Sequence, residues 1–596
     1  MRGSAAQRPH TGAGTTGMQG RPWHGVVLVL AVVAVFAVIH QVILNRAHPD
    51  ALYMDSLRLL FQLDQWQAGQ LSTFEFWGGS SHRGFVNQLF LWANVSLFDL
   101  DVLLANRLTG AVISAVAACL CISWMADMRH QPGAKRPWLN VVVVVTVAAL
   151  CFSWAGYELL TLDLGLPLWT KNLAFVAFFC GHAHLLSARS RCPAVWVVAL
   201  VLAAPLIVLV CGMGWNYAFV GAVLVVQVFS FLPRWRAEGR WTGILPSAAV
   251  GLSMVAYLLS GSVTDASTRN GLNVDADLPV LLLYSVGSTM GYPEAVLMGG
   301  KLPLATIAVL GGILLLVGVV AAVAWLRRGA PGSRLPLLLA LYGVLIAASL
   351  TLARGAEGPF AVMASRYYMD LVLGLVGVIW LVARELQAAP RGAQGWNVLV
   401  GGLLSAVLLT QLLTYVHEWK ASPFREDIFA SMNKALLRAV PDDESANLLQ
   451  AQLDYARKGA NVMRERHLAL YADSTASDCS TRGIEYTQGW HAAEGAVRWS
   501  GAHASLALPP CGCAYFAELY VPPGQSERHV RISTAAGNED VLTVQPGQAA
   551  RVRVGNEHAE LAVSPVSIPS RDQPGSSDTR ELGVLLTGFS VSCEVP

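Results

Sequence analysis

HGVVLVLAVVAVFAVIHQVIL, residues 24–44, is an apolar stretch of about twenty residues, and a helix of that length spans the hydrocarbon core of a bilayer. A cleavable signal peptide has a shorter apolar region, so we expect an uncleaved transmembrane helix, with cleavage near Ala47 as the alternative. Ten similar segments lie near 98–125, 138–155, 169–187, 194–211, 213–232, 242–260, 303–326, 335–353, 368–385 and 397–416. The sequence therefore predicts a polytopic α-helical membrane bundle of about eleven transmembrane helices.

The composition also indicates a membrane protein. Hydrophobic residues make up 54% of the 596 residues and charged residues only 13%, which is too apolar for a soluble globule. The formal net charge is +2, and the Arg residues are dispersed rather than clustered into a basic surface. We therefore expect membrane lipids as partners and no nucleic acid.

Charge in the connecting loops predicts the topology. Basic residues concentrate in alternate loops, which is the pattern of cytoplasmic loops in a bacterial inner membrane. The N-terminal tail, 1–23, is then cytoplasmic and the C-terminal region periplasmic. Two places leave the count open. A tight hairpin is expected near 211–215, and segment 279–298 is interrupted by Gly and Pro, so it is either re-entrant or a loop helix packed on the bundle.

The chain divides into a transmembrane domain at 24–416, which includes a large first periplasmic loop at 45–97, a helical connector at 417–482, and a C-terminal β domain at 483–596. Short alternating runs such as HVRIST and RVRVG predict an antiparallel β-sandwich for the last part. Four cysteines lie in the polar C-terminal region, an even number that suits disulfides in an oxidising compartment and allows three connectivities: Cys479, Cys511, Cys513 and Cys593. A direct Cys511–Cys513 bond would close a tight ring, so we favour pairing of each with Cys479 or Cys593.

Polar residues that could carry chemistry lie in the predicted periplasmic loops. In the first loop, Asp55 and Arg58 are three residues apart, so on a helix they share a face, and the alternative is an interfacial helix with an ordinary ion pair. Arg366 begins an apolar span, where it should face a polar cavity, an acidic partner or an anionic ligand, or else reach back to the interface. We expect Asp370 to pair with Arg366 at helical spacing.

Three segments together resemble a known group of bacterial membrane proteins. They are an early Asp in the first loop, the stretch WGGSSHRGFVNQLFLWANVSLF, and Ser-Arg-Tyr in ARGAEGPFAVMASRYYMD. The combination is similar to polytopic proteins related to GT-C glycosyltransferases, and the C-terminal segment is similar to the small jelly-roll, carbohydrate-binding-like domains attached to several of them. In that group an acidic residue often precedes the His-Arg pair, whereas here Ser81 does.

The resemblance implies an enzyme that transfers a sugar from a polyprenyl-phosphate donor to a glycan, lipid or protein acceptor on the periplasmic face. It implies Asp55 as the catalytic base, with Glu158 in reserve. The residues expected to bind substrate or its phosphate are Arg58, His82, Arg83, Arg354, Arg366 and Tyr367. Some relatives hold a divalent metal with carboxylates, but the acids here are too dispersed to indicate one.

Three other functions fit parts of the same pattern. A transporter or flippase for a lipid-linked glycan needs ionisable residues or broken helices near the midplane, and this sequence keeps nearly all of its charges at the membrane edges. A glycan polymerase or ligase would use Arg and His residues on the same face. A noncatalytic scaffold would need fewer crossings.

Overall fold

The structure is a computed structural model that describes residues 22–78, 83–129, 136–187, 194–233, 235–260, 277–290, 303–389, 394–437, 443–472, 483–495, 497–509, 514–534, 539–555 and 558–592. The helices of the N-terminal part are α1 Pro22–Ala47, α2 Asp55–Gln67, α3 Thr73–Gly78, α4 Val86–Phe98, α5 Val102–Arg129, α6 Pro137–Cys151, α7 Tyr157–Thr161, α8 Gly165–Ser187, α9 Ala194–Leu206, α10 Asn216–Phe229, α11 Ile244–Leu259, α12 Leu278–Gly287, α13 Leu304–Arg327, α14 Leu335–Arg354, α15 Pro359–Val362, α16 Tyr368–Ala388, α17 Gln394–Leu436, α18 Asp443–Leu448 and α19 Leu453–Glu465.

The chain is a multi-pass membrane protein, and each of the eleven predicted segments falls on a helix. Among the described residues, seven helical stretches are long and apolar enough to cross a membrane: Trp23–Ala47, Val102–Arg129, Pro137–Thr161, Ala194–Cys211, Leu304–Arg327, Leu335–Glu357 and Gln394–Leu436. Three further apolar helices, Asn216–Phe229, Ile244–Leu259 and Leu278–Met290, are shorter. The two remaining predicted segments lie on α8 and α16, which carry charged side chains and are largely buried within the bundle.

The interrupted segment 279–298 lies, as far as it is described, on a helix packed against the bundle. Helix α12 contacts α13 and α14, and Gly287 meets Gly311 of α13 at close range. A Cβ atom on Gly287 would come within 2.0 Å of the Ile307 carbonyl oxygen, so only glycine permits this approach. Residues 291–298 lie outside the described residues.

The tight turn expected near 211–215 is confirmed. Helix α9 contains Pro205 and continues as a π-helix over Ile207–Cys211, and α10 begins at Asn216. The Asn216 side chain closes the turn by donating a hydrogen bond to the Val208 carbonyl at 2.8 Å. The amide thereby satisfies a carbonyl near the end of the π-helix, where the regular ladder is interrupted.

Basic loop residues meet at one end of the bundle. Arg384 of α16 donates to Asp127 of α5 at 2.8 Å, and Arg328 pairs with Glu385. Trp380 also donates to Asp127, at 3.1 Å. These contacts join the ends of α5, α13 and α16.

The first loop folds over the opposite end, where α1 ends and α5 begins, and we call this the first-loop end. The Trp77 indole donates to the Leu209 carbonyl at 2.9 Å, and the Met54 amide donates to the Leu449 carbonyl at 2.8 Å. Helix α2 packs against α19, where Gly459 lies directly over Leu57. The loop is therefore a folded layer between the bundle and the connector.

Helix α17 is a single helix of 43 residues that runs through the boundary expected at 416. It contains Pro423, which has no amide hydrogen to donate to the Trp419 carbonyl four residues earlier. That carbonyl instead accepts from the Ser422 hydroxyl at 3.2 Å and from Arg46 of α1 at 3.4 Å. The proline is thus accommodated because a side chain from another helix replaces the missing donor.

The C-terminal region is an antiparallel β domain, as predicted. Its elements are β1 Glu485–Trp490, β2 Arg498–Ala507, β3 Ala514–Tyr520, β4 Arg528–Thr534, β5 Glu539–Val544, β6 Ala549–Gly555, β7 His558–Ser564, helix α20 Pro569–Asp572 and β8 Leu585–Ser592. Seven strands follow the order β5-β4-β7-β2-β8-β3-β6, with β1 beside β2. Strand β2 joins the two halves by pairing with both β7 and β8, so the sheet is nearly closed and barrel-like around a core that includes Leu506, Tyr515 and Leu561.

Candidate functional site

Glu158 is the centre of a polar cluster at the first-loop end. Its carboxylate accepts hydrogen bonds from the Ser365 hydroxyl at 2.7 Å and from the Arg366 backbone amide at 3.1 Å. The Arg366 guanidinium lies 3.9 Å from the other carboxylate oxygen. Only 14% of the Glu158 side chain is exposed. The carboxylate is therefore held firmly between the turn that precedes α16 and its own helix.

Local sequence explains how these groups meet. Ser153 caps a short turn over Trp154–Gly156 by accepting from the Ala155 amide at 3.2 Å, and α7 starts directly after it. Glu158 lies in the first turn of α7, where a negative charge is favourable. Gly156 packs closely against Tyr368: a Cβ atom at residue 156 would lie 3.3 Å from the Tyr368 ring. This close approach brings the Glu158 carboxylate up to Ser365.

Two arginines of the cluster present positive charge. Arg366 keeps 40% of its side chain exposed, and its Nε atom is buried with no partner among the described residues. Arg354 is also partly exposed and pairs with Glu357 at 2.8 Å. The Tyr367 side chain interacts with both guanidinium groups. Arg354, Arg366 and Tyr367, which the resemblance placed in substrate binding, are therefore neighbours in the structure.

Asp55 lies at the start of α2 and forms an ion pair with Arg58 at 3.1 Å, which is the alternative that the sequence left open for these two residues. The Asp55 side chain is 69% exposed, so its carboxylate remains accessible to a ligand. The preceding residue, Met54, has φ +56°, a conformation that costs energy for a residue with a Cβ. The strained turn is fixed by the bond from the Met54 amide to Leu449, which aims the start of α2.

Tyr53 connects the Asp55 segment to the Glu158 helix. Its hydroxyl lies 3.4 Å from the Thr161 hydroxyl, and its ring packs near Phe429 of α17. Burial raises the pKa of Tyr53, and the nearby negative charges of Glu158 and Asp163 raise it further.

Another arginine lies against Tyr157, the residue that precedes Glu158 in α7. Arg425 of α17 lies over the Tyr157 ring, with its central carbon 3.8 Å from the ring centroid, and binds both oxygens of Glu418 at 2.8 and 2.9 Å. The pair is largely buried. Arg425 was not singled out in the sequence because its position on a long polar part of α17 gave no sign of a partner in the first half of the chain.

Arg83 lies in a different environment. It is buried, with its guanidinium 4.1 Å from the centre of the Tyr257 ring and bonded to the Ser260 hydroxyl. Trp77 lies on its other side at 5.5 Å. His82 and the four candidate disulfide cysteines, Cys479, Cys511, Cys513 and Cys593, lie outside the described residues.

The expectation that Asp370 pairs with Arg366 is wrong. Asp370 lies inside the bundle, where Lys171 of α8 donates to it at 2.7 Å and the Tyr342 hydroxyl donates at 2.5 Å. Neither Lys171 nor Asp370 has any exposed side-chain surface. Lys171 also lies 4.0 Å from the centre of the Trp215 ring. The signal was present in the sequence, because two opposite charges inside apolar segments need each other.

The described residues include no group of three His, Cys, Asp or Glu side chains that could hold a metal ion. No protein-family model matches the chain, and a search of the curated proteins returned no similar protein.

Proposed function

We propose that the chain is a GT-C-type membrane glycosyltransferase that moves a sugar from a polyprenyl-phosphate donor to a glycan, lipid or protein acceptor. The observation that carries the proposal is the Arg366 guanidinium, which is held at one edge by Glu158 and remains 40% exposed beside Arg354 and Tyr367. A guanidinium suits a phosphate because its planar donors bind two oxygens at once.

The two carboxylates have different tasks in this proposal. Glu158 already accepts two hydrogen bonds and an ion pair, so it orients Arg366. Asp55 is far more exposed and can approach an acceptor hydroxyl, so it is the base. As the acceptor oxygen attacks the anomeric carbon, its proton passes to Asp55. The bond from that carbon to the phosphate oxygen breaks, and the departing phosphate takes the bonding electrons beside Arg366.

We also propose an orientation of the bundle in the membrane. The first-loop end would face the periplasm of a bacterial inner membrane, and the opposite end, with Arg328 and Arg384, would face the cytoplasm. In this arrangement the short apolar helices and the charged helices are among the eleven predicted crossings. The β domain is a jelly-roll-like module that holds the glycan acceptor near the cluster. Labelling of single introduced cysteines from each side of the membrane tests this topology.

The decisive experiment measures transfer by the purified protein in vesicles supplied with polyprenyl-phosphate hexoses, polyprenyl-phosphate pentoses and candidate acceptors. Asp55→Asn should lower the transfer rate about 10²–10⁴-fold and leave donor binding intact, because a positioned base supplies an acceleration of that size. Asp454→Asn is the matched control, since Asp454 is an exposed partner of Lys458 with 65% of its side chain accessible.

Arg366→Ala should instead weaken binding of the donor, and Arg531→Ala, an exposed arginine paired with Glu539 in the β domain, should not. Normal transfer by a folded Asp55→Asn protein would remove Asp55 as the base. If the wild-type protein neither binds nor consumes any of the lipid-linked donors, the transferase proposal fails.

A lipid-linked glycan transporter is the second candidate, and the buried Lys171–Asp370–Tyr342 group supports it. Ionisable side chains inside a bundle are typical of transport pathways. The two candidates separate in one assay, because a transporter moves the intact lipid-linked glycan between leaflets and a transferase breaks the bond to phosphate.

A further inference from the structure

Helix α4 of the first loop presents an apolar face outside the bundle. Its 13 residues, VNQLFLWANVSLF, include no charged residue and no histidine. Leu89, Trp92 and Leu97 lie on one side of the helix, and 44–70% of each residue is exposed. The opposite side, with Leu91 and Val95, is buried where α4 packs against α2 and α8. Large apolar side chains that share an exposed face mark a surface that contacts another protein, a ligand or a membrane.

Both ends of α4 lie level with the ends of helices that are long enough to span the membrane. The Phe85 amide, directly before α4, donates to the Val210 carbonyl at 3.2 Å, and Val210 lies in the last turn of the stretch Ala194–Cys211. The other end of α4 leads through residues 99–101 into α5. A helix of this length measures roughly 20 Å, which is shorter than the hydrocarbon core of about 30 Å. The axis of α4 therefore runs across the first-loop end of the bundle and not through the membrane.

The exposed surface of α4 adjoins a surface that lipid covers. Phe90 and Phe98 of α4 line the same cavity as Leu104 and Leu108 of α5. Phe98 and Leu108 are also exposed on the outside of the bundle. Exposed apolar side chains on a spanning helix contact lipid, and α5 is long and apolar enough to span. The lipid-facing surface therefore continues from α5 onto α4.

We propose that α4 is an interfacial helix, with Leu89, Trp92 and Leu97 inserted among the lipids of the leaflet on the first-loop side. Such a helix lies in the membrane plane, with its apolar face about 5–10 Å into the boundary between headgroups and acyl chains. Trp92 suits that depth because its indole combines an apolar body with one N–H donor. An isolated interfacial helix turns a charged face toward water, whereas the second face of α4 is covered by α2 and α8. The lipid contact also holds α2, which carries Asp55, at the membrane surface.

The test uses the full wild-type chain in phosphatidylcholine nanodiscs that contain a photoreactive phosphatidylcholine. The shallow probe carries a diazirine near the carboxyl end of an acyl chain, the deep probe carries it at the methyl end, and labelled peptides are located by mass spectrometry. The shallow probe should label α4 at least ten-fold more than α19, whose exposed residues include Asp454 and Lys458. The deep probe should label the middle of α13, where Leu316 is exposed, and should label α4 at least five-fold less than the shallow probe does.

Leu89→Asp/Leu97→Asp adds two charges to the exposed side of α4 and should lower its labelling by the shallow probe at least five-fold. Val541→Asp is the matched control, because Val541 is 67% exposed, close to the 70% of Leu97, but lies on β5 of the β domain. It should leave the labelling of α4 unchanged.

The proposal is overturned if wild-type α4 is labelled no more than α19, if the deep probe labels α4 as strongly as α13, or if the Leu89→Asp/Leu97→Asp and Val541→Asp proteins behave alike. Cross-links between two copies of α4 without lipid labelling would assign the face to a second copy of the chain and would also overturn it. The readout is lipid contact and not sugar transfer, so failure here is separate from failure of the transferase proposal.

Discussion

Lys171→Met should destabilise the bundle because it leaves the Asp370 carboxylate inside the protein without its positive partner. The Lys171 Nζ to Asp370 Oδ1 distance is 2.7 Å, and both side chains have no exposed surface. Removal of one member of a buried pair costs about 3–5 kcal/mol. The Tyr342 hydroxyl still donates to Asp370, so the lower end, about 3 kcal/mol, is expected.

Removal of both charges should recover part of that loss. In Lys171→Met/Asp370→Leu only the Tyr342 hydroxyl loses its partner, at a cost of about 1–3 kcal/mol, so the double variant should be more stable than Lys171→Met. Lys458→Met is the control, because Lys458 and Asp454 lie at the same 2.7 Å but on the surface, where the loss should stay below about 1 kcal/mol.

The assay is unfolding of the purified protein in mixed micelles, followed by tryptophan fluorescence during titration with denaturing detergent. Free energies of unfolding for the wild type, Lys171→Met, Asp370→Leu and the double variant then form a double-mutant cycle. If the losses of the single variants simply add in the double variant, the pair is not coupled and the reasoning is refuted. A loss below about 1 kcal/mol in Lys171→Met would refute the stated cost of the unpaired charge.

Three further predictions concern packing and pH. Gly343→Val should lower the free energy of unfolding by roughly 1–3 kcal/mol in the same assay, because a Cβ there would lie 2.4 Å from the Gly374 Cα. Arg580 lowers the pKa of the Asp578 carboxyl to about 2. The stability that this ion pair contributes is therefore present above about pH 4 and is lost as pH falls toward 2. Arg580→Ala should flatten that dependence of the thermal midpoint, and a wild-type slope would contradict it. Burial raises the pKa of Asp163 to about 6, so the contribution of this carboxyl to stability changes with pH in the opposite direction. It is present at acidic pH and is lost as pH rises through 6. Asp163→Asn should remove this loss between pH 4 and 7, and an unchanged profile would exclude Asp163 as its source.

Features that depend on local sequence were predictable. An apolar run of spanning length forms a helix because backbone groups in lipid must bond within the segment, and all eleven predicted segments are helical. Alternating runs such as RVRVG form strands because successive side chains face opposite sides, and this one lies in β6. Asp55 and Arg58 share a helix face, as predicted, because three-residue spacing alone brings the two side chains together.

Contacts between distant segments were not predictable in the same way. Asp370 and Arg366 have favourable helical spacing, but packing turns Asp370 inward to Lys171, which lies 199 positions earlier in the chain. The Ser365–Glu158 bond depends on the close approach at Gly156, which no periodicity reveals. The closure of the β domain likewise depends on how β2 divides its two edges between β7 and β8.

The proline in α17 has a mechanical consequence. At 1.5 Å per residue the 43-residue helix is roughly 65 Å long, about twice the hydrocarbon thickness, so it extends well beyond the membrane. Pro423 interrupts the hydrogen-bond ladder of this helix, and the Glu418–Arg425 ion pair joins residues on either side of the proline. The ion pair therefore helps to hold the helix together where the proline weakens it, and neutralisation of Arg425 should loosen α17 around Pro423.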